Sequence, residues 1–276
     1  MLVYADTLLA DAQAHGYAVG AFNIENMEMA QAVVEAVSKL GAPAILQTTP
    51  STVRYGGAQL LAAIMRTAAE NAKSPVAVHL DHGDSFGMAM QALRAGYTSI
   101  MIDGSQLDFE SNIALSARVV EAALVNGIPV EAELGKVGGK EDDHESDNAY
   151  TDPAEAAEFV SRTGVQSLAI GIGTAHGFYK GEPKLDLDRL TEIRAAVSIP
   201  LVLHGASGIS AETLDACITR GISKINFATE LRVAFSDGVK AYIEKDPKVF
   251  DPKKYGAAGR DSVRETATRL CRICMK

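Results

Sequence analysis

Val76-Ala77-Val78-His79-Leu80, followed at once by Asp81-His82-Gly83, is the stretch on which the fold turns. Its first five residues form a β-rich run, and a polar cluster ending in glycine closes it. Runs of the same kind recur at 18–22, 44–48, 99–102, 130–133, 167–172, 201–204 and 224–227. Each is rich in Val, Ile, Leu and Ala with few polar residues, the pattern of parallel strands buried on both faces. Amphipathic stretches such as 27–40 and 58–71 separate them. Asp152-Pro153 ahead of 154–162 reads as a helix start, with a cap residue and a proline in the first turn, and 187–197 behaves similarly. Eight strands alternating with helices mean a closed barrel or a doubly wound sheet. No Gly-x-Gly-x-x-Gly follows the first strand, which argues against the dinucleotide-binding version. Gly171-Ile172-Gly173 comes after the sixth strand and lacks the acidic partner. The expectation is one α/β domain, a (β/α)8 TIM barrel over residues 1–276, close to the typical length of about 250 residues. One segment breaks the alternation, 136–150 (KVGGKEDDHESDNAY). It reads equally well as a solvated loop or as a mobile charged lid over a site.

The composition narrows the partners. A net charge of −9 argues against nucleic acid, whose phosphates recruit basic faces. It leaves room for a phosphorylated metabolite held by backbone amides and a local cation. The apolar runs are too short to cross a bilayer, and the N-terminus lacks the basic and apolar regions of a signal peptide. Three cysteines, Cys217, Cys271 and Cys274, are an odd and sparse set that fits a reducing compartment, so a cytoplasmic location is expected. Cys271-x-x-Cys274 has no second pair and lies in a helical tail, where it reads as structural.

A barrel of this class builds its site at the C-terminal ends of its strands. Polar residues gather there: Asp81-His82-Gly83, Asp103-Gly104-Ser105, Glu131 and Glu133, Thr174-Ala175-His176-Gly177, His204-Gly205-Ala206-Ser207-Gly208, and Asn226-Phe227-Ala228-Thr229. A lone histidine at a strand end is more often structural than a ligand. Three of them, each followed by glycine on a different strand, suit a catalytic Zn²⁺ with a position left for substrate. Their separations match no short zinc motif, so that reading depends on the barrel bringing them together. His15 and His144 read as surface residues. The glycine and hydroxyl positions after the seventh and eighth strands suit a phosphate, which barrels often bind there. Arg260 could add a cation for a second phosphate or make a surface salt bridge.

At these residues the sequence resembles the class II, metal-dependent fructose- and tagatose-bisphosphate aldolase family. The likeness runs in order through AFNIEN (21–26), HLDHG (79–83), SIMIDGS (99–105), VEAELGKVGGKEDD (130–143), YTDPAEAAEFV (150–160), AIGIGTAHG (169–177), VLHGASGI (202–209) and KINFATELR (224–232). The terminal RICMK departs from the pattern. The resemblance implies His82, His176 and His204 as ligands of a catalytic zinc ion, with Asp103 and Glu133 near an alternative metal position. A second divalent or a monovalent cation would be compatible with it. It also implies Asp81 as the acid/base at the hydroxyl of the breaking bond and Glu141 as a proton-transfer residue acting on the triose. Gly177, Gly205, Ala206, Ser207, Asn226, Phe227, Ala228 and Thr229 fall in the stretches implied to hold the phosphorylated three-carbon fragment. The implied reaction is reversible cleavage of fructose 1,6-bisphosphate into dihydroxyacetone phosphate and glyceraldehyde 3-phosphate, with the tagatose isomer as the alternative. Family members are commonly dimers or tetramers, so a homo-oligomer is expected.

Three other readings compete. A Schiff-base aldolase needs a desolvated lysine near a strand's C-terminal end. Lys224 begins its strand in this reading and Lys136 lies in the polar segment, so neither suits. A metal-dependent sugar-phosphate isomerase would differ in leaving the carbon–carbon bond intact. A non-catalytic barrel would bind a sugar phosphate without turnover.

Overall fold

Parallel pairing between strands distant in sequence dominates the computed structural model of the chain. The described residues are 1–141, 144–146, 149–177, 179, 181 and 183–275, with backbone alone at 140, 141 and 144–146. In chain order the strands are β1 (Val19–Asn23), β2 (Ala44–Thr48), β3 (Val76–Gly83), β4 (Ser99–Ile102), β5 (Val130–Leu134), β6 (Gly138–Glu141), β7 (His144–Ser146), β8 (Ser167–Ile170), β9 (Ala175–His176), β10 (Leu201–Leu203) and β11 (Ile222–Phe227). Eight of them close a barrel in the order β1-β11-β10-β8-β5-β4-β3-β2. The helices are α1 (Ala5–His15), α2 (Met27–Leu40), α3 (Pro50–Gly56), α4 (Ala58–Glu70), α5 (Phe86–Ala95), α6 (Phe109–Leu124), α7 (Pro153–Thr163), α8 (Leu187–Ala196), α9 (Ala211–Thr219), α10 (Thr229–Lys245) and α11 (Pro252–Cys274). This is the (β/α)8 barrel expected from the alternation.

Local chemistry sets where the helices begin. The Asp152 carboxylate accepts from the amides of Ala154 and Glu155, and Pro153 follows at the first helical position. Asn26, Ser85, Asp108, Asp186, Ser210 and Asp251 cap α2, α5, α6, α8, α9 and α11 in the same way.

Side chains alternate across a strand, and the two faces of the barrel wall differ in kind. Phe22, Leu46, Val78, Leu80, Ile100, Ala132, Leu168, Leu203, Ile225 and Phe227 face the helices and form the main apolar core. The inward face is apolar at one end, where Val19, Ala21, Ile45 and Ala77 pack against Leu8, Leu9 and Ala12 of α1, and again in a small cluster of Met101, Ala169 and Val202. Further along the same faces stand His79, Asp81, Glu131, Glu133, His204, Lys224 and Asn226, all buried. The expectation of strands apolar on both faces therefore holds for the outer face and only in part for the inner one.

The charged segment after β5 is not only loop. β6 and β7 pair antiparallel, and β6 also pairs parallel with β9, giving a small sheet in the order β7-β6-β9 beside the barrel mouth. Gly139 adopts a φ of +87°, and a β-carbon there would overlap the His176 backbone, so the pairing needs glycine. Among the described residues no helix is long and apolar enough to cross a membrane. The three cysteines are buried as free thiols, and burial pushes the Cys271 thiol up to about 12, in line with a structural role.

Candidate active site

On a regular strand Asp81 and His82 would point to opposite faces. β3 avoids this with a bulge. Leu80 pairs with Ile100 and Gly83 with Ile102, so Asp81 and His82 together stand opposite Met101. His82 has a φ of +49° and is the one non-glycine residue with positive φ among the described residues. Such a conformation costs on the order of 1–3 kcal/mol, held here by the surrounding structure. Asp81 keeps the inward direction shared with His79, while the bulge turns His82 back to the mouth. Gly83 must be glycine, because a β-carbon would overlap the Met101 carbonyl.

The barrel brings the three histidines together. The ring centroids of His82 lie 5.1 Å from His176 and 4.6 Å from His204. One ligand nitrogen from each of the three lies within 4.8 Å of the others, and His82, Asp103 and Glu133 make a second such group. Donor bookkeeping tests whether a cation fits. His82 Nδ1 lies 2.7 Å from Asp103 Oδ2, and His204 Nε2 lies 3.0 Å from Glu131 Oε1. When both rings are neutral and each gives its one N–H to its carboxylate, the remaining nitrogens face each other as lone pairs across 2.9 Å. Two acceptors at that distance repel unless a positive charge serves both. A proton is disfavoured at His204, whose pKa is lowered by burial and then by the neighbouring His82. The donor set fits a divalent metal, with each of these two rings oriented by a carboxylate behind it.

Beneath the rim those carboxylates have partners of their own. Burial would raise the Asp103 carboxyl, but its hydrogen bond and charge interaction with His82, and then the Ser105 amide, hold it well below the ordinary range. Glu131 follows the same logic: burial raises it, and the Lys224 charge and the His204 hydrogen bond outweigh that. Lys224 is fully buried, with Nζ 2.7 Å from Glu131 Oε2 and 3.4 Å from His79 Nε2. His79 Nδ1 lies 2.7 Å from Ser99 Oγ. Burial and the Lys224 charge lower the His79 pKa well below its usual value, which keeps that ring neutral. Lys224 does not begin its strand, as the sequence suggested; it is the third residue of β11 and sits inside the barrel. The sequence reading gave no supporting role to His79 or Lys224. The signal was there in the spacing, since His79 and Asp81, Glu131 and Glu133, and Lys224 and Asn226 are pairs two apart on one face.

Asp81 is held from both sides. Asn23 Nδ2 donates to Oδ2 at 2.9 Å and Asn226 Nδ2 to Oδ1 at 2.9 Å, while Gln47 Nε2 fixes Asn23 Oδ1 at 2.9 Å. Asn226 Oδ1 is buried without a hydrogen-bond partner among the described residues, an acceptor directed at the site. A pocket beside it is lined by Asn23, His176, Gly177, Gly205, Ser207, Asn226, Ala228 and Arg232. It unites five of the eight positions expected to hold substrate. The other three lie apart from its wall: Ala206 is buried in the core, the Phe227 ring stacks on Phe22 at 5.7 Å, and Thr229 opens α10. Arg232 was not singled out from the sequence. It gives the pocket a cation, positioned by Glu25 at 2.7 Å. Arg260 lies elsewhere, on α11 with Nη1 3.1 Å from Gln31 Oε1 and 4.0 Å from Glu35. Glu141 belongs to β6 by its backbone, and its side chain lies outside the described residues.

Comparison with known proteins agrees with this fold. A family model described as fructose-bisphosphate aldolase class-II matches residues 3–276. The YdjI aldolase from Escherichia coli K12 is 36% identical, with a TM-score of 0.88 over 99% of this chain and 97% of that one. A structure described as a putative fructose-1,6-biphosphate aldolase from Coccidioides immitis is 28% identical, with a TM-score of 0.88 over 97% and 94% of the two chains. At 22% identity, a fructose-bisphosphate aldolase from Campylobacter jejuni shares the fold, with a TM-score of 0.84 over 99% and 95%. With its closed barrel, converging imidazoles and match over nearly its whole length, the chain belongs to the class II fructose-bisphosphate aldolase family and is a carbon–carbon lyase.

Proposed function

We propose that this lyase is a zinc-dependent ketose-bisphosphate aldolase that cleaves fructose 1,6-bisphosphate to dihydroxyacetone phosphate and glyceraldehyde 3-phosphate in the cytoplasm. The observation that carries the reading is the pair of imidazole nitrogens 2.9 Å apart, next to a carboxylate held by two amides. His82, His176 and His204 would hold the metal, with Asp103 and Glu133 offering an alternative position. Bound there, zinc supplies Lewis-acid stabilisation of the negative charge left on the three-carbon fragment.

Asp81 is the acid/base. It accepts the C4 hydroxyl proton in cleavage and returns it in condensation, as microscopic reversibility requires. Asn23 and Asn226 occupy its two oxygens with donors, which fixes the carboxylate relative to the metal ligand that follows it in the chain. Gly177, Gly205 and Ser207 bring backbone and a hydroxyl to one phosphate, and Ala228 lines the same pocket, while Ala206, Phe227 and Thr229 lie outside its wall. The charge of Arg232 complements a phosphate in the same pocket. Glu141 moves a proton on the triose. Fructose is placed ahead of tagatose bisphosphate on the family description alone.

A cleavage assay on both bisphosphates, with zinc and after chelation, tests substrate and metal together. Asp81→Ala is expected to keep its metal and lose turnover by at least about 100-fold, in the range of general acid–base contributions, whereas His204→Ala loses zinc. Equal zinc loss in both variants would contradict this division of labour. Substrate trapping by borohydride would point instead to a lysine Schiff base.

A further inference from the structure

His176 stands apart from the other two imidazoles of the cluster in how it is rooted. His82 lies within β3 and His204 directly follows β10, both in the barrel wall, whereas His176 lies on β9 of the small sheet. Something must set the distance between that sheet and the wall. The Tyr179 hydroxyl lies at the junction. It accepts from the Ala175 amide at 2.8 Å and donates to the Gly205 carbonyl at 2.7 Å. Ala175 immediately precedes His176, and Gly205 immediately follows His204. The two backbones meet closely there: Gly205 has a φ of +66°, and a β-carbon on it would come within 2.6 Å of the Ala175 oxygen. The ring packs against the main core, which fixes the hydroxyl's position.

We propose that Tyr179 is a positioning residue for the metal centre, its hydroxyl setting the spacing between the segments that carry His176 and His204. The inference rests on the three-histidine metal reading given above. Both hydrogen-bonding directions of the phenol are used: one oxygen accepts from one segment and donates to the other. Removing that oxygen leaves the Ala175 amide and the Gly205 carbonyl without their shared partner and releases the constraint between two imidazoles. A second side-chain tie on the 205–208 loop provides the contrast, because Glu230 Oε1 accepts from the Gly208 amide at 2.9 Å without touching the β9 segment.

The test is Co²⁺ titration of the metal-free wild type, Tyr179→Phe and Glu230→Ala, with far-UV circular dichroism to check the fold. Tyr179→Phe is expected to bind Co²⁺ at least about 10-fold more weakly, as loss of an outer-shell contact does, and to give an altered ligand-field band. Glu230→Ala should keep the wild-type band. An affinity and band in Tyr179→Phe superposable on the wild type overturn the proposal, as does an equal change in Glu230→Ala. A wild type that binds no Co²⁺ overturns the metal reading and this proposal together. If Tyr179→Phe does not fold, amide exchange in the metal-loaded wild type decides. Strong protection at Ala175 supports the tether, and exchange at the rate of open backbone removes it.

Discussion

Gly83 and His82 together illustrate what a single residue decides in this site. The bulge requires a positive φ at His82 and no side chain at Gly83, where a β-carbon would overlap the Met101 carbonyl. Gly83→Ala should therefore straighten or displace the bulge, at a cost of roughly 1–3 kcal/mol for overpacking. It should also weaken metal binding, since His82 is turned toward the mouth only through the bulge. Thermal unfolding and a zinc titration check both effects; normal zinc affinity would mean that His82 reaches the ion without this backbone. The sequence made the neighbours Asp81, His82 and Gly83 visible as a polar strand end. The device that lets adjacent residues share one side was not legible, because a bulge depends on the register of a partner strand.

At the scale of the strand, the inner face of the barrel governs. His79, Glu131 and Lys224 come from β3, β5 and β11, and their contacts form a buried chain that ends on His204 Nε2. Lys224→Met would leave the Glu131 charge buried and uncompensated, a loss of about 3–5 kcal/mol. Glu131→Gln combined with Lys224→Met removes both charges and should recover most of that stability in urea unfolding. The double variant should still bind zinc about 10-fold more weakly, because its amide accepts from His204 without the charge that raises ligand basicity. A double variant as unstable as Lys224→Met alone would refute the pairing. The strand positions were readable from hydrophobic runs, but treating both faces as apolar hid the polar face. Starting the last strand at Lys224 rather than Ile222 hid it further, since that placed the lysine at the strand's edge.

For the whole molecule, the regular alternation of eight runs with amphipathic stretches left a closed barrel or a doubly wound sheet. The missing dinucleotide fingerprint and the family resemblance favoured the barrel, and rim chemistry follows from barrel geometry. The convergence of His82, His176 and His204 was legible only through that fold, since no two are close in the chain. The small sheet was not legible. Its strands are short, glycine-bearing and charged, and they are made by pairing with a two-residue strand beyond α7 and β8. Arg232 was missed for a related reason: it lies on a helix, one turn past the strand-end residues that drew attention.

The three imidazoles proposed to hold the ion thus belong to two bodies, the barrel wall and the small sheet. Parting β9 from β6 breaks few contacts, whereas parting β3 from β10 means dismantling the barrel, and small openings are the cheaper fluctuation. An ion held this way should leave by a side door: chelator-driven loss would proceed at a nearly constant rate as urea rises, up to the concentrations where the barrel itself melts. A loss rate that climbed with urea as steeply as global unfolding does would mean that all three imidazoles let go together.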